Sequence, residues 1–196
     1  ALRGGLLALL AAVLFGSSTP LVQTFGAGVG PFTTAGLLYA GAVLVGVFSR
    51  RPERREARVS HQDLPRLLAM ALIGAVVAPV ALAWGLQRTS GTSASLMLTL
   101  EAVFTALLAR RLYGETMDRR VCSALALLLL GGALLVLDQG RGGEMQVQGL
   151  LAVTMATAAW GIDNALSRAV AERDPGQVVM VKSGLGVIAS AGLAIV

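Results

Sequence analysis

The chain has 196 residues, 55% of them hydrophobic and 14% charged, with a net charge of +5 and a mean hydropathy of +0.73. A soluble domain carries roughly a quarter of its residues as charges, and a disordered chain is far less apolar, so both classes are excluded. One cysteine, Cys122, and one histidine, His61, exclude a disulfide framework and a Cys/His zinc site, which leaves a polytopic membrane protein.

Crossing about 30 Å of hydrocarbon takes about 20 apolar residues, and seven such runs follow one another along the chain. The first, Gly5–Gln23, is interrupted from Gly16 to Pro20 by Gly, Ser, Thr and Pro, unlike a cleaved signal peptide. Gly26, Gly28 and Gly30 lead into Pro31, which suits the first turn of the second span, Gly30–Phe48. After a basic segment, Asp63 is read as the N-cap and Pro65 as a first-turn residue of the third span, Leu67–Leu86. The fourth span, Gly91–Ala109, is followed by Gly114 after its last turn. In the fifth, Val121–Leu137, the run from Leu125 is apolar throughout, whereas a barrel strand would alternate. Gly140, Gly142 and Gly143 loosen the link to the sixth span, Gly149–Arg168, and Asp174-Pro175-Gly176 marks a turn before the seventh, Val178–Val196. Helices are predicted throughout, since isolated strands leave backbone groups unsatisfied in lipid. The predicted fold class is therefore all-α, a polytopic transmembrane helix bundle.

Charge placement sets an orientation. Arg3, then Arg50, Arg51, Arg54, Arg55, Arg58 and Arg66, then Arg110, Arg111, Arg119 and Arg120, then Arg168 and Arg173 all fall on one side of the alternating spans. Arg88 and Arg141 alone fall on the other, and Lys182 lies within a span. The positive-inside rule then predicts a cytoplasmic N-terminus. The segment Phe48–Arg66 reads foremost as that topology signal; an anionic-lipid patch is the bolder reading, diluted by Glu53, Glu56 and Asp63. With no aromatic platform or basic fold, nucleic acid is not an expected partner. Arginine fills every Lys/Arg position except Lys182, a codon preference of GC-rich bacterial genomes, so the expected location is a bacterial inner membrane.

An internal repeat appears at an offset of 145 positions, aligning Gly4–Gln23 with Gly149–Arg168. Gly4/Gly149, Leu6/Leu151, Ala11/Ala156, Gly16/Gly161 and Leu21/Leu166 match, and Phe15 stands opposite Trp160. A polar cluster follows each matched glycine, Ser17-Ser18-Thr19 in one copy and Asp163-Asn164 in the other. The copies are five spans apart, an odd number, so they cross in opposite directions as an inverted repeat does.

The stretch Leu98-Thr99-Leu100-Glu101-Ala102-Val103-Phe104, the Gly114-Glu115 pair after Tyr113, the small pair Gly131-Gly132, and Trp160-Gly161-Ile162-Asp163-Asn164 together resemble the EamA repeat of the drug/metabolite transporter superfamily. The resemblance covers essentially the whole chain. It implies ten helices in two inverted five-helix halves, with the substrate path between them. Residues 1–140 would form the first repeat and 147–196 the start of the second, with two of its spans. The chain lacks an initiating Met and ends within an apolar run, so it is expected to be part of a longer, ten-span protein.

Three ionisable residues fall inside spans. Glu101, predicted near mid-membrane, is costly there unless it faces a cavity or a partner. It is read either as a pathway residue suited to proton coupling or amine recognition, or as a hydrogen-bonding link to a neighbouring helix. Asp163 and Lys182 lie at matching depths on oppositely directed spans. They are read as an ion pair fixing the packing of six on seven, as a gate or substrate site, or with Lys182 snorkelling to the surface. Asn164, Trp160 and Thr19 complete the candidate substrate-binding or coupling set. Pro20 and Pro79 interrupt spans one and three, and are read either as freeing backbone carbonyls that line a cavity or as harmless kinks. Trp160, Trp84 and Tyr39 are candidate cavity walls, with Trp84 read foremost as an interface anchor. Gly36, Gly41, Gly46, Gly131 and Gly132 read as close-packing surfaces, and Cys122 as inert.

His61 lies in the basic loop away from any embedded serine, and no phosphate-cradling glycine loop is present, so an enzymatic activity is not expected. The predicted function is secondary transport, in the export direction, of small polar metabolites such as amino acids, by alternating access and with proton coupling open. A non-transporting scaffold or assembly protein and a channel are the alternatives. No cofactor or metal is expected. The expected partners are a small-molecule substrate and the lipid bilayer, with a homodimer as an allowed assembly.

Overall fold

A computed structural model describes residues 2–49, 57–139 and 144–195. Arg50, Arg51, Arg54, Arg55, Glu53 and Glu56 of the basic segment, the linker Gly140–Gly143 with Arg141, and Val196 lie outside the described residues, as does the side chain of Arg3.

Nine α-helices occupy the described residues. Helix α1 (Leu2–Phe25) runs through Pro20 without a break, and α2 (Pro31–Ser49) begins at Pro31 after a turn in which Gly28 adopts φ 81°. The third span is α3 (Leu64–Leu72), a π-turn (Ile73–Val77) and α4 (Ala78–Leu86). The fourth divides into α5 (Gly91–Leu98) and α6 (Glu101–Tyr113). Then come α7 (Arg119–Gln139), α8 (Glu144–Arg168) and α9 (Pro175–Ala194). Gly114 closes α6 in the left-handed conformation, φ 67°, its N–H donating to the Arg110 carbonyl at 3.0 Å. Asp174 caps α9, accepting from the N–H groups of Gly176 and Gln177 at 2.8 and 3.2 Å.

Among the described residues six segments are long and apolar enough to span a membrane: Gly4–Phe25, Pro31–Phe48, His61–Leu86, Gly91–Tyr113, Arg119–Asp138 and Pro175–Ala194. The predicted sixth span, now α8, is absent from that group, although its 25 residues reach about 37 Å. Its position explains why. Gly149, Leu150, Ala152, Val153, Ala156, Thr157, Ala159, Gly161, Asp163 and Ala165 are all buried against other helices, so α8 faces protein on one side where α1 and α7 face outward. A helix in the middle of a bundle satisfies its polar side chains with neighbours and needs less apolar surface.

The main core joins α4, α5, α6 and α8 through Leu82, Leu86, Met97, Leu100, Val103, Leu150 and Val153. Exposed leucines cover the outside, including Leu6, Leu7 and Leu14 of α1 and Leu127, Leu134 and Leu137 of α7, as a surface solvated by lipid should have. Of the five glycines read as packing surfaces, three lie against side chains: Gly36 against Ser190, Gly46 against Met180 and Gly132 against Leu100. Gly41 and Gly131 face open space among the described residues, which corrects that expectation for these two.

Loop contacts sort the ends of the bundle. At one end the Asp174 N–H donates to the Ala57 carbonyl at 3.0 Å, the Val59 N–H to Gln177 Oε1 at 3.1 Å, and Arg168 pairs with Glu115. At the other end Gln23 Nε2 donates to the carbonyls of Leu86 and Thr89, and Gln87 Nε2 to that of Val29. The arginines Arg58, Arg66, Arg168 and Arg173 therefore share the first end, and Arg88 stands at the second.

Asp63 does not cap α3 as predicted. Its carboxylate turns back to accept from the Ser60 N–H at 2.8 Å and the Ser60 hydroxyl at 2.9 Å, and it pairs with Arg173 Nε at 2.9 Å. The site lies at the polar end of the span, before its apolar run begins at Leu64. Asparagine in place of Asp63 would keep one acceptor oxygen but lose the charge that pairs with Arg173. The melting temperature of the native protein should therefore exceed that of Asp63→Asn at neutral pH, and equal melting temperatures would show that the pair contributes nothing to stability.

Candidate functional site

Trp160, Asp163 and Asn164 lie on one stretch of α8, at i, i+3 and i+4. Consecutive positions on a helix diverge by about 100°, so Asp163 and Asn164 address different neighbours. Asp163, 4% exposed, points at the third span and α9, where its Oδ2 pairs with the Lys182 ammonium. Its other oxygen, Oδ1, is buried without a hydrogen-bond partner among the described residues. Asn164 turns toward α6 and donates from Nδ2 to Glu101 Oε1 at 2.7 Å, with Thr105 Oγ1 at 3.5 Å beside it. The Asp163–Lys182 pair and a hydrogen bond linking Glu101 to a neighbouring helix, each one of the alternatives offered by the sequence, thus fall on adjacent residues of α8.

Glu101 owes its position to the break in the fourth span, which the sequence pattern does not reveal. Thr99 returns its hydroxyl to the Leu96 carbonyl at 2.6 Å, while the N–H groups of Thr99 and Leu100 reach back three residues to Leu96 and Met97. That tight turn ends α5 and lets α6 start afresh at Glu101. The carboxylate thus stands in the first turn of a 13-residue helix, where the helix dipole favours negative charge. Because α6 continues to Tyr113, beyond the predicted end at Ala109, Glu101 lies about 18 Å from the end of the helix.

The third span contributes a backbone group. The Ala78 N–H donates to the Ile73 carbonyl in the π-turn, and Pro79 has no N–H to give. The Gly74 carbonyl is left without either of its helical donors. Side chains supply what the helix does not: Tyr39 Oη donates to it at 2.7 Å and Trp160 Nε1 at 3.1 Å. The expected freeing of a carbonyl by Pro79 is thus realised at Gly74, whereas Tyr39, read as a cavity wall, is a hydrogen-bonding residue. Gly74 also allows Asp163 its place, since a Cβ there would fall 2.6 Å from Oδ2. A Pro five residues after a Gly was the available signal; the partners come from other helices and leave no trace in local sequence.

Thr19 is buried on α1, and Phe15, one turn earlier, meets the Trp160 ring edge-on with centroids 5.8 Å apart. Thr19 makes no hydrogen bond to the other candidate residues among those described. A groove of about 650 Å³ between α2, α4 and α8 is lined by Phe32, Val80, Trp84, Gln148, Leu151 and Met155 among others, and by none of the six candidates. Trp84 lines this groove near the end of α4, with the Arg88 guanidinium 3.6 Å from its ring centre. Among the described residues no group of His, Cys, Asp and Glu could hold a metal ion.

Residues 2–137 match the EamA-like transporter family. The chain belongs to that family. Among curated proteins, this EamA-like chain is 29% identical over 194 residues to an uncharacterized transporter of Methanothermobacter thermautotrophicus. That alignment covers 90% of the EamA-like chain and 56% of the relative, so the chain spans little more than half the length of the protein it resembles. No solved structure gives a significant match. Membership makes the molecule a multi-pass membrane protein of a transporter family, the one that the Glu101 stretch and Gly114-Glu115 resemble in sequence. Trp160, Asp163, Asn164 and Lys182 of the EamA-like chain lie beyond the residues matched.

Proposed function

We propose that the full-length protein is a secondary transporter that exports small polar metabolites such as amino acids across the bacterial inner membrane, with a cytoplasmic N-terminus. Residues 1–140 and 147–196 belong to two inverted EamA repeats, whose rocking about a midplane site gives alternating access. Glu101 is the proton-coupling residue. Asp163, Lys182, Asn164, Trp160 and Thr19 contact the substrate or control its passage.

The observation that supports transport over a scaffold is Asp163 Oδ1, which has no hydrogen-bond partner among the described residues. A purely structural ion pair, buried in an apolar bundle, is stable only when its remaining lone pairs are satisfied. A carboxylate kept half-bonded has acceptor capacity for a polar solute. Cells loaded with a radiolabelled amino-acid panel test this reading: those expressing the full-length protein should lose at least one solute faster than cells without it. Equal retention of every solute contradicts export of amino acids, and flux that never saturates favours a channel.

Orientation has its own test. Cys122 is exposed at the start of α7, at the end where the arginines gather. A membrane-impermeant maleimide applied to intact cells should leave Cys122 unmodified, with Cys122→Ser as the control, and should label it once the cells are opened. Labelling from outside contradicts the cytoplasmic N-terminus.

A further inference from the structure

We infer that Tyr39 is a positioning residue of the site: acting through the Gly74 carbonyl, it holds Trp160 and Asp163 in their places. The inference rests on the transport reading above only for what the site does. Its geometric content is independent.

Among the described residues Tyr39 makes no hydrogen bond to Asp163, Lys182 or Glu101, and nothing in the apolar pattern of α2 distinguishes it from a wall residue. What distinguishes it is the carbonyl it meets. A backbone acceptor in a membrane bundle, stripped of both helical donors by a π-turn and a proline, has to find side-chain donors. Gly74 finds two, and they come from different helices, Tyr39 from α2 and Trp160 from α8. One oxygen with two lone pairs therefore ties three elements together. The residue that owns this oxygen is also the one against which the Asp163 carboxylate rests, where any side chain would collide with it. The next residue, Ala75, is approached as closely by Gly186 of α9, where a Cβ on Gly186 would fall 2.7 Å from the Ala75 Cβ. A shift of the π-turn is thus felt by Trp160, by Asp163 and by the helix that carries Lys182.

The role of Pro79 gives the inference a distinctive signature. If Tyr39 serves to satisfy an oxygen that Pro79 orphans, then restoring an N–H with Pro79→Ala should make Tyr39 dispensable. A tyrosine that only fills space would be equally important with either residue at position 79.

The experiment uses the full-length protein labelled with 5-fluorotryptophan, with the Trp160 and Trp84 fluorine signals assigned by their loss in Trp160→Phe and Trp84→Phe. Tyr39→Phe should shift or broaden the Trp160 signal and leave the Trp84 signal unchanged, and in a Pro79→Ala background the same change should have at most half that effect. An unchanged Trp160 signal, an equal disturbance of both tryptophans, or an undiminished effect beside Pro79→Ala overturns the inference. Where Tyr39→Phe alone proves too unstable to purify, the Tyr39→Phe/Pro79→Ala protein should be recovered, and failure of both overturns it equally. For any amino acid the full-length protein carries, Tyr39→Phe should raise KM about fivefold at unchanged kcat, the equivalent of one hydrogen bond. A panel with no transported amino acid overturns the substrate reading alone, and the fluorine signals still decide the place of Tyr39.

Discussion

Lys182→Met is expected to destabilise the protein by about 3–5 kcal/mol, because it leaves the Asp163 carboxylate buried without its counter-ion. Asp163 is 4% exposed and its side chain lies directly on the Gly74 backbone, so it cannot turn out to water. Its second oxygen already lacks a partner among the described residues. Removing Lys182 therefore leaves both oxygens unsatisfied in a membrane bundle, a much larger effect than losing a surface pair. The double variant Asp163→Asn/Lys182→Met should recover most of the stability, since a neutral amide fits the same space beside Gly74 and no charge is stranded. Detergent-solubilised melts of the single and double variants measure this directly. A charge exchange, Asp163→Lys with Lys182→Asp, should recover less. The close approach of residue 163 to Gly74 leaves no room for a longer side chain there.

Glu101→Gln should leave folding nearly unchanged and reduce transport about tenfold or more, because an amide can neither take up nor release a proton. Glutamine keeps an oxygen for the Asn164 amide, so the link between α6 and α8 survives. What it loses is the ability to take up and release a proton at the start of α6. The pH dependence of transport should accordingly flatten in the variant. Unaltered rates with an unaltered pH profile would show that Glu101 serves only to join the two helices.

The helical spans were legible because lipid imposes length and polarity on any chain that crosses it. Glycine and proline punctuation located Gly114 at its helix end and Pro31 at its helix start, because these residues act through their own backbone. The partnership of Asp163 with Lys182 was legible from depth and direction alone, as ions in lipid have few partners to choose from. Three features were not. The polarity of α8 became intelligible only when its buried face was known. The break at Thr99–Leu100 turns on one threonine hydroxyl that bonds back to its own helix, and the same residue in an unbroken helix would look no different. Pro79 denies a donor to the Ala75 carbonyl in an α-helix and to the Gly74 carbonyl in a π-turn, and the π-turn that selects Gly74 lies against α2, α8 and α9. Asp63 was misjudged for a related reason: a carboxylate before a helix reads as a cap, but Ser60 and Arg173 compete for it and win.

On the transport reading, the charged residues of α8 and α9 serve passage of a solute and not the packing of the bundle alone. Uptake of a radiolabelled amino-acid panel by proteoliposomes separates the two when the full-length protein is compared with Asp163→Asn/Lys182→Met, the variant expected to remain folded. Saturable uptake of at least one solute by the native protein, falling to the level of empty liposomes in the folded variant, is the expected result. Equal uptake by both proteins would contradict it.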